Sequence, residues 1–343
     1  MELYEAPLQE LQAASSFVRK NLSGDRIWYN RNFHIEPSNI CTHRCKFCSY
    51  RRDDASQPGA WTLELEDILP YCQAKFEPGM TEIHIVGSVQ PDQPFRYYEA
   101  IVEQVRAFAR EHATPQRPIA IKAYTAVEID DMCRFGGLTP EACLSALKAA
   151  GVDTLPGGGA EIFAPHIRRQ ICPDKCDSER WLDIHRTAHR LRLSTNCTML
   201  FGHIESREDR VDHLLALRRL QDETGGFNAF IPLKFRSQGN ALSHLGEIPR
   251  EEVLRTFAIA RLALDNIPHI KAYWPMLGKD LALEAMDWGA DDLDGTINDS
   301  TRIYSLAGAE EQRPSLSVGE LERLAAAHGW KAVERDSFYR IIS

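Results

Sequence analysis

The sequence predicts an α/β protein: a (β/α)8 barrel of the TIM type with a helical extension at its N-terminus. Two observations carry this. Along the 343 residues, short apolar segments alternate with longer amphipathic ones, the pattern of βα units around a parallel sheet. The length also suits one barrel of about 250 residues with extensions. A six-unit open barrel is the alternative, because the last two units carry weaker patterns.

The elements follow in order. Leu8, Leu11, Ala14 and Val18 recur at helical spacing and predict a helix over 6–21, ended by Gly24. Residues 1–30 read as the extension and 31–343 as the barrel domain. From Arg26 to Ser38 the pattern turns β-like. Barrel strands are predicted at 32–37, 82–86, 118–123, 152–156, 195–201, 228–235, 267–274 and 290–294. Helices are predicted near 62–77, 95–112, 139–150, 179–192, 206–223, 249–264, 278–287 and 317–328. Thr139-Pro140-Glu141 places an N-cap before a first-turn proline, Ser206 precedes acidic first-turn residues, and Gly151 suits a C-cap.

Composition sets bounds. Hydrophobic residues make up 43% and charged residues 26%, enough to bury a real core. A formal charge of −9 argues against non-specific nucleic-acid binding. Nine cysteines are an odd and modest number for a disulfide framework, and the N-terminus lacks a basic-then-apolar signal segment. No apolar run approaches the ~20 residues of a membrane span. The expectation is a reduced, cytoplasmic chain without nucleic-acid partner or membrane insertion.

Barrel enzymes place their chemistry on the loops at the C-terminal ends of the strands. In Glu82-Ile83-His84-Ile85-Val86, alternation turns Ile83 and Ile85 to the helices and His84 to the interior. The same parity points Lys122, Thr198, Lys234, Lys271 and Tyr273 inward. A structural barrel fills its interior with branched aliphatics, so this set suggests a polar ligand.

The loop after the first predicted barrel strand holds Cys41-Thr42-His43-Arg44-Cys45-Lys46-Phe47-Cys48. Thiolates select zinc, copper(I) or iron–sulfur clusters. A structural zinc site wants four ligands, and His43, Cys72 or the Cys172/Cys176 pair would have to complete it. A [4Fe–4S] cube on three cysteines keeps one iron open. The spacing C-x3-C-x2-C, with an aromatic before the last cysteine, resembles that of the radical S-adenosylmethionine (SAM) enzymes. There the open iron chelates SAM, whose reductive cleavage releases a 5′-deoxyadenosyl radical.

The resemblance gives meaning to other loops. Val86-Gly87-Ser88-Val89-Gln90-Pro91-Asp92 follows the second predicted strand, where these enzymes carry a glycine-containing turn facing the SAM ammonium; Ser88 replaces a commoner second glycine. Gly157-Gly158-Gly159 precedes Glu161, a candidate acceptor for the SAM ribose hydroxyls; no Lys-Ser/Thr follows, so this is no phosphate-binding P-loop. His203 stands at the end of the fifth strand, either facing substrate or supporting the turn with Glu205 and Ser206.

Several stretches resemble one subgroup of that superfamily: Asn39–Tyr50, Lys122–Ile129, Leu155–Phe163, Ala188-His189, Met199–Glu205, Arg218–Phe235, Asp265–Trp274 and Asp291–Thr296. The subgroup comprises the aminofutalosine synthases and dehypoxanthine futalosine cyclases of menaquinone formation, and the deazaflavin-precursor synthases. Ile231-Pro232-Leu233, Tyr273–Gly278 and Asp291–Thr296 are most similar to the synthases of the futalosine route; Ser88 and 297–303 depart from the expected form. The resemblance implies a [4Fe–4S] cluster on Cys41, Cys45 and Cys48, and SAM as a consumed co-substrate near Phe47, Tyr50, Gly87, Ser88 and Glu161. It implies addition of the deoxyadenosyl radical to 3-[(1-carboxyvinyl)oxy]benzoate, giving 6-amino-6-deoxyfutalosine, methionine and bicarbonate. A low-potential donor of flavodoxin or ferredoxin type would supply the electron. His84, Lys122, Thr125, Thr198, His203, Lys234 and Lys271 are the substrate-binding candidates, the basic ones for its two carboxylates. Arg51 and Arg52 are further ones.

Overall fold

Alternating apolar residues make the strands of this chain, and capped amphipathic segments make the helices between them. The computed structural model describes residues 1–90, 93–298 and 300–342, so Pro91 and Asp92 of the turn after the second predicted strand, and Asp299 of the 297–303 segment, lie outside the described residues. Ten strands are present among those described: β1 (Arg26–Asn30), β2 (Asn32–Ile35), β3 (Glu82–Ile85), β4 (Ala120–Ala123), β5 (Thr154–Leu155), β6 (Ser194–Phe201), β7 (Phe227–Lys234), β8 (His269–Ile270), β9 (Asp292–Gly295) and β10 (Lys331–Glu334).

Strands β2 to β8 form one seven-stranded sheet in chain order, each neighbouring pair parallel. Parallel neighbours need a crossover, and a helix supplies each one. A second parallel sheet has the order β10-β1-β9. β1 runs through Arg31 straight into β2, while a bridge between Lys271 and Asp292 ties β9 to the end of β8. The small sheet thus joins the two edges of the large one, and the wall curls into a barrel.

Seven of the eight expected strands lie in the large sheet; the eighth, β9, pairs mainly with β1. β10 was not anticipated, since Lys331-Ala332-Val333-Glu334 is a half-exposed four-residue strand with little apolar contrast. Among the helices missed, the longest are Ala126–Gly136 and Pro165–Ile171. The first carries a capping box in which Thr125 and Glu128 bond each other's backbone N–H, a start signal present in the sequence. The N-terminal helix spans Leu8–Ser23, but its buried stripe is Leu11, Ser15, Arg19 and Ser23; Ala14 faces solvent. Arg19 shifts the phase, because its guanidinium is buried and satisfied by the carbonyls of Gly24, Arg26 and Ala290.

Ile83, Ile85 and Ile121 point to the helices and are fully buried, at about 1.5–3 kcal/mol each. The segment after β10 closes the bottom. Arg335 Nε donates to Asp292 (2.6 Å), Ser337 Oγ to Glu82 (2.7 Å), and Tyr339 stacks on His269 with centroids 3.5 Å apart. Among the described residues no helix is long and apolar enough to cross a membrane.

Candidate active site

Inside the barrel lies a cavity of about 160 Å³. Its lining includes His84, Lys122, Thr198, Lys271 and Tyr273, which parity pointed inward, and also Thr125. In-register pairing sets His34, His84 and Lys122 side by side on three adjacent strands. His34, Asn196, Asp294 and Tyr304 also line it and were missed. For His34 the signal was available: Phe33-His34-Ile35 repeats the alternation of Ile83-His84-Ile85, and Phe33 and Ile35 are buried outward.

Both lysines in the cavity are already matched. Lys122 Nζ donates to Glu82 Oε2 (2.6 Å), and Lys271 Nζ to Asp294 Oδ1 (2.5 Å). Burial alone would raise the Glu82 carboxyl, but the ammonium of Lys122 and the other cations outweigh it and hold Glu82 well below the usual range. Burial in turn pulls Lys122 down, against the pull of Glu82.

Two expected residues stand elsewhere. Ile231 and Leu233 of β7 face the cavity, so Lys234 has the opposite parity and pairs with Glu247 (2.6 Å). β7 is apolar on both faces at Phe230-Ile231-Pro232-Leu233, so alternation could not set its phase. His203 is enclosed in its own turn rather than facing the cavity. Its Nδ1 accepts the Ile204 N–H (2.7 Å), its Nε2 lies 3.2 Å from the Leu200 carbonyl, and Glu205 takes the N–H groups of Gly202 and His203. Arg51 pairs with Asp53, and Arg52 binds the carbonyls of Ser49, Tyr50, Arg51 and Pro58.

At the C-terminal end of β2 the cysteine loop is fixed to several parts of the barrel mouth. The N–H groups of Cys41, Thr42 and Lys46 donate to the carbonyls of Arg52 (3.0 Å), Val89 (3.0 Å) and Ile171 (2.8 Å). His43 is buried against Asp131, so that imidazole belongs to the scaffold. Gly87 fits because a Cβ there would stand 3.1 Å from Pro37 Cδ and from the Ser38 carbonyl. Ser88 Oγ donates to the Ile40 carbonyl (2.6 Å). The turn after β3 therefore clasps the start of the cysteine loop. Glu128 accepts the Gly87 N–H (3.2 Å) as well as capping its own helix.

A second cavity, of about 130 Å³, opens beside the loop and is bounded by Phe47, Cys48, Tyr50 and Glu161, with Lys234 at its edge. It shares Leu233, Ile303 and Tyr304 with the inner cavity. Glu161 sits at φ 47°, pairs with Lys175 (2.5 Å), and Lys175 lies 5.3 Å from the Phe47 ring centroid. Tyr50 donates its hydroxyl to the Ser38 carbonyl (3.1 Å). Of the three glycines before Glu161, Gly157 approaches β6 so closely that a Cβ would stand 2.6 Å from Cys197 Cα.

Could these residues hold an iron–sulfur cluster? Cys41, Cys45 and Cys48 are free thiols on one anchored loop; Cys45 and Cys48 border an outer groove, and Cys48 also borders the second cavity. Among the described residues no three His, Cys, Asp or Glu side chains converge as one ion would need. Three thiolates on one loop suit a cube with one open iron better than a closed zinc site, which wants four ligands. Burial pushes the Cys41 and Cys45 thiols up; coordination reverses that by stabilising the thiolate.

Comparison with known proteins agrees. Residues 35–217 match the radical SAM superfamily, and residues 224–332 match the CofH/MqnC C-terminal region. An aminodeoxyfutalosine synthase from Thermus thermophilus is 42% identical over 97% of this chain and 88% of that protein. One from Streptomyces coelicolor is 37% identical over 99% of this chain and 88% of that protein. A cyclic dehypoxanthine futalosine synthase from Streptomyces coelicolor is 36% identical over 95% of this chain and 80% of that protein. The crystal structure of methylornithine synthase (PylB) superposes with a TM-score of 0.75 over 96% of this chain and 92% of that one; at 17% identity the likeness is of fold alone. The chain belongs to the radical SAM superfamily and, within it, to the family that contains the aminodeoxyfutalosine synthases.

Proposed function

We propose that this chain is an aminodeoxyfutalosine synthase, forming 6-amino-6-deoxyfutalosine from SAM and 3-[(1-carboxyvinyl)oxy]benzoate. The relationship to the Thermus thermophilus enzyme, 42% identity across 97% of the chain, carries this reading. The family implies a [4Fe–4S] cluster and SAM. Cys41, Cys45 and Cys48 are assigned as the cluster ligands. When bound, the cluster supplies the electron that splits SAM into methionine and the 5′-deoxyadenosyl radical.

The residues divide the work by position. Phe47, Tyr50 and Glu161 line the cavity next to Cys48, which we assign to SAM, with Glu161 as acceptor for ribose hydroxyls. Gly87 and Ser88 serve that side by holding the loop in place. The inner cavity, with Thr125, Thr198 and the His34–His84–Lys122 row, is assigned to the aromatic substrate. Because the two cavities share Leu233, Ile303 and Tyr304 as lining, the sites assigned to SAM and to the aromatic substrate are neighbours. A low-potential donor of flavodoxin or ferredoxin type is the expected source of the electron.

The test is anaerobic incubation of reconstituted protein with SAM, a low-potential reductant and the carboxyvinyloxybenzoate, read by mass spectrometry with Cys45→Ala as control. The mass of aminodeoxyfutalosine, absent in the control, is expected. Release of 5′-deoxyadenosine without that product would move the substrate to a relative such as the cyclic dehypoxanthine futalosine synthase. No SAM cleavage from iron-loaded protein would refute the reading.

A further inference from the structure

The inner cavity has fixed charges that cancel. Lys122, Lys271 and Asp294 line it; Lys271 is bonded to Asp294, and Lys122 to the fully buried Glu82. The other titratable groups of its lining are His34, His84, Tyr273 and Tyr304, the two tyrosine rings in edge contact with centroids 5.2 Å apart. A lysine that left its carboxylate to meet a substrate would strand a buried charge, which costs several kcal/mol. The lysines are therefore poor candidates for holding a second anion.

Two side chains are left without partners. His34 Nδ1 and His84 Nε2 are enclosed and make no hydrogen bond, although both rings line the cavity. His34 is only 3% exposed, and the ring centroids stand 4.7 Å apart with the planes tilted by 48°. Neither ring is committed to a hydrogen-bonding partner in the protein, so both are available to a ligand in the cavity they line. Burial lowers His34 to about 4, and burial together with the neighbouring His34 holds His84 well below its ordinary value. Both rings are then neutral near pH 7, each with one N–H to give.

We propose that His34 and His84 together form the carboxylate-binding element of the inner cavity, each donating one ring N–H to a carboxylate of the aromatic acid substrate. This rests on the function proposed above and names the residues that recognise its substrate class. Neutral donors suit a site whose fixed charges balance: the anion gains two hydrogen bonds and no ion pair has to break.

The test measures the affinity of the reconstituted holoenzyme with SAM, without reductant, for 3-[(1-carboxyvinyl)oxy]benzoate by calorimetry. His34→Phe and His84→Phe keep a ring and remove the donor; His34→Asn and His84→Gln restore an N–H. Each Phe variant is expected to weaken binding about tenfold while SAM affinity stays unchanged. The amide variants are expected to recover to within about threefold. Phe variants that bind as tightly as wild type overturn the proposal and leave the function standing. Amide variants that lose as much as the Phe variants also overturn it, because ring packing then explains the loss. A wild-type protein that binds SAM but not the acid overturns the function and this inference with it.

Discussion

Buried carboxylates at the floor and at the mouth of the barrel behave in opposite ways. At the floor, Glu82, Asp292 and Asp294 are met by Lys122, Arg335 and Lys271, and these cations outweigh burial and hold all three below the usual range. At the mouth, Glu36 accepts the Thr301 hydroxyl (2.9 Å) and the Arg302 N–H (3.1 Å), and Glu128 accepts the N–H groups of Thr125 (2.7 Å) and Gly87 (3.2 Å). There burial outweighs those bonds and raises both to about 7. Carboxyl groups equally enclosed serve as fixed struts where a cation is bonded to them, and titrate near neutrality where their bonds are to N–H and O–H groups and the cations stand further off. The floor pairs are fixed in charge, whereas the mouth carboxylates change charge near neutrality.

Breaking a floor pair sharpens this contrast most. Lys122→Met leaves Glu82 buried without its main cation and is expected to cost about 3–5 kcal/mol of unfolding free energy. The double change Lys122→Met with Glu82→Gln is expected to return most of it, since the stranded charge is gone. Denaturant unfolding of both variants reads the difference. A single-variant cost below about 1 kcal/mol would remove the floor's role as a strut.

The mouth is expected to respond to pH instead. Glu36 is raised from 4.5 to about 7 in the folded chain, so between those values the native state binds more protons than the unfolded one. Its contribution to stability is therefore present at low pH and lost as pH rises through about 7. Glu36→Gln removes that loss, and its melting temperature should exceed that of wild type at pH 8 but not at pH 5. Equal melting temperatures at both would contradict the contrast. A smaller effect is expected at Glu161. Glu161→Gln weakens the pairing with Lys175 beside the second cavity and should raise the SAM Kd by about tenfold, with iron content unchanged. A Kd at the wild-type value would place SAM elsewhere.

Much of this was legible in the sequence, for physical reasons that differ by element. Strands buried on their helix-facing side show it in Ile83/Ile85 and in Ile121, and that alternation located His84 and Lys122. β7 is apolar on both faces, and there Lys234 was placed in the wrong cavity. Alternation reports which way a side chain points but not what it meets, so Lys122 and Lys271 read as free cations although Glu82 and Asp294 stand opposite them. Those partners lie 40 and 23 residues away in the chain, a separation no local pattern spans. β10 and the Arg335–Tyr339 plug escaped for the same reason: their contacts are with Asp292, Glu82 and His269 on distant strands. The cysteine loop was legible because its chemistry is local.

The most direct measurement is electron paramagnetic resonance of the reconstituted, reduced protein before and after SAM is added. A cluster held as proposed by Cys41, Cys45 and Cys48 would keep one iron open, so a reduced-cluster signal is expected that changes when SAM binds and is missing in Cys45→Ala. A signal indifferent to SAM, or one that survives in Cys45→Ala, would contradict the account.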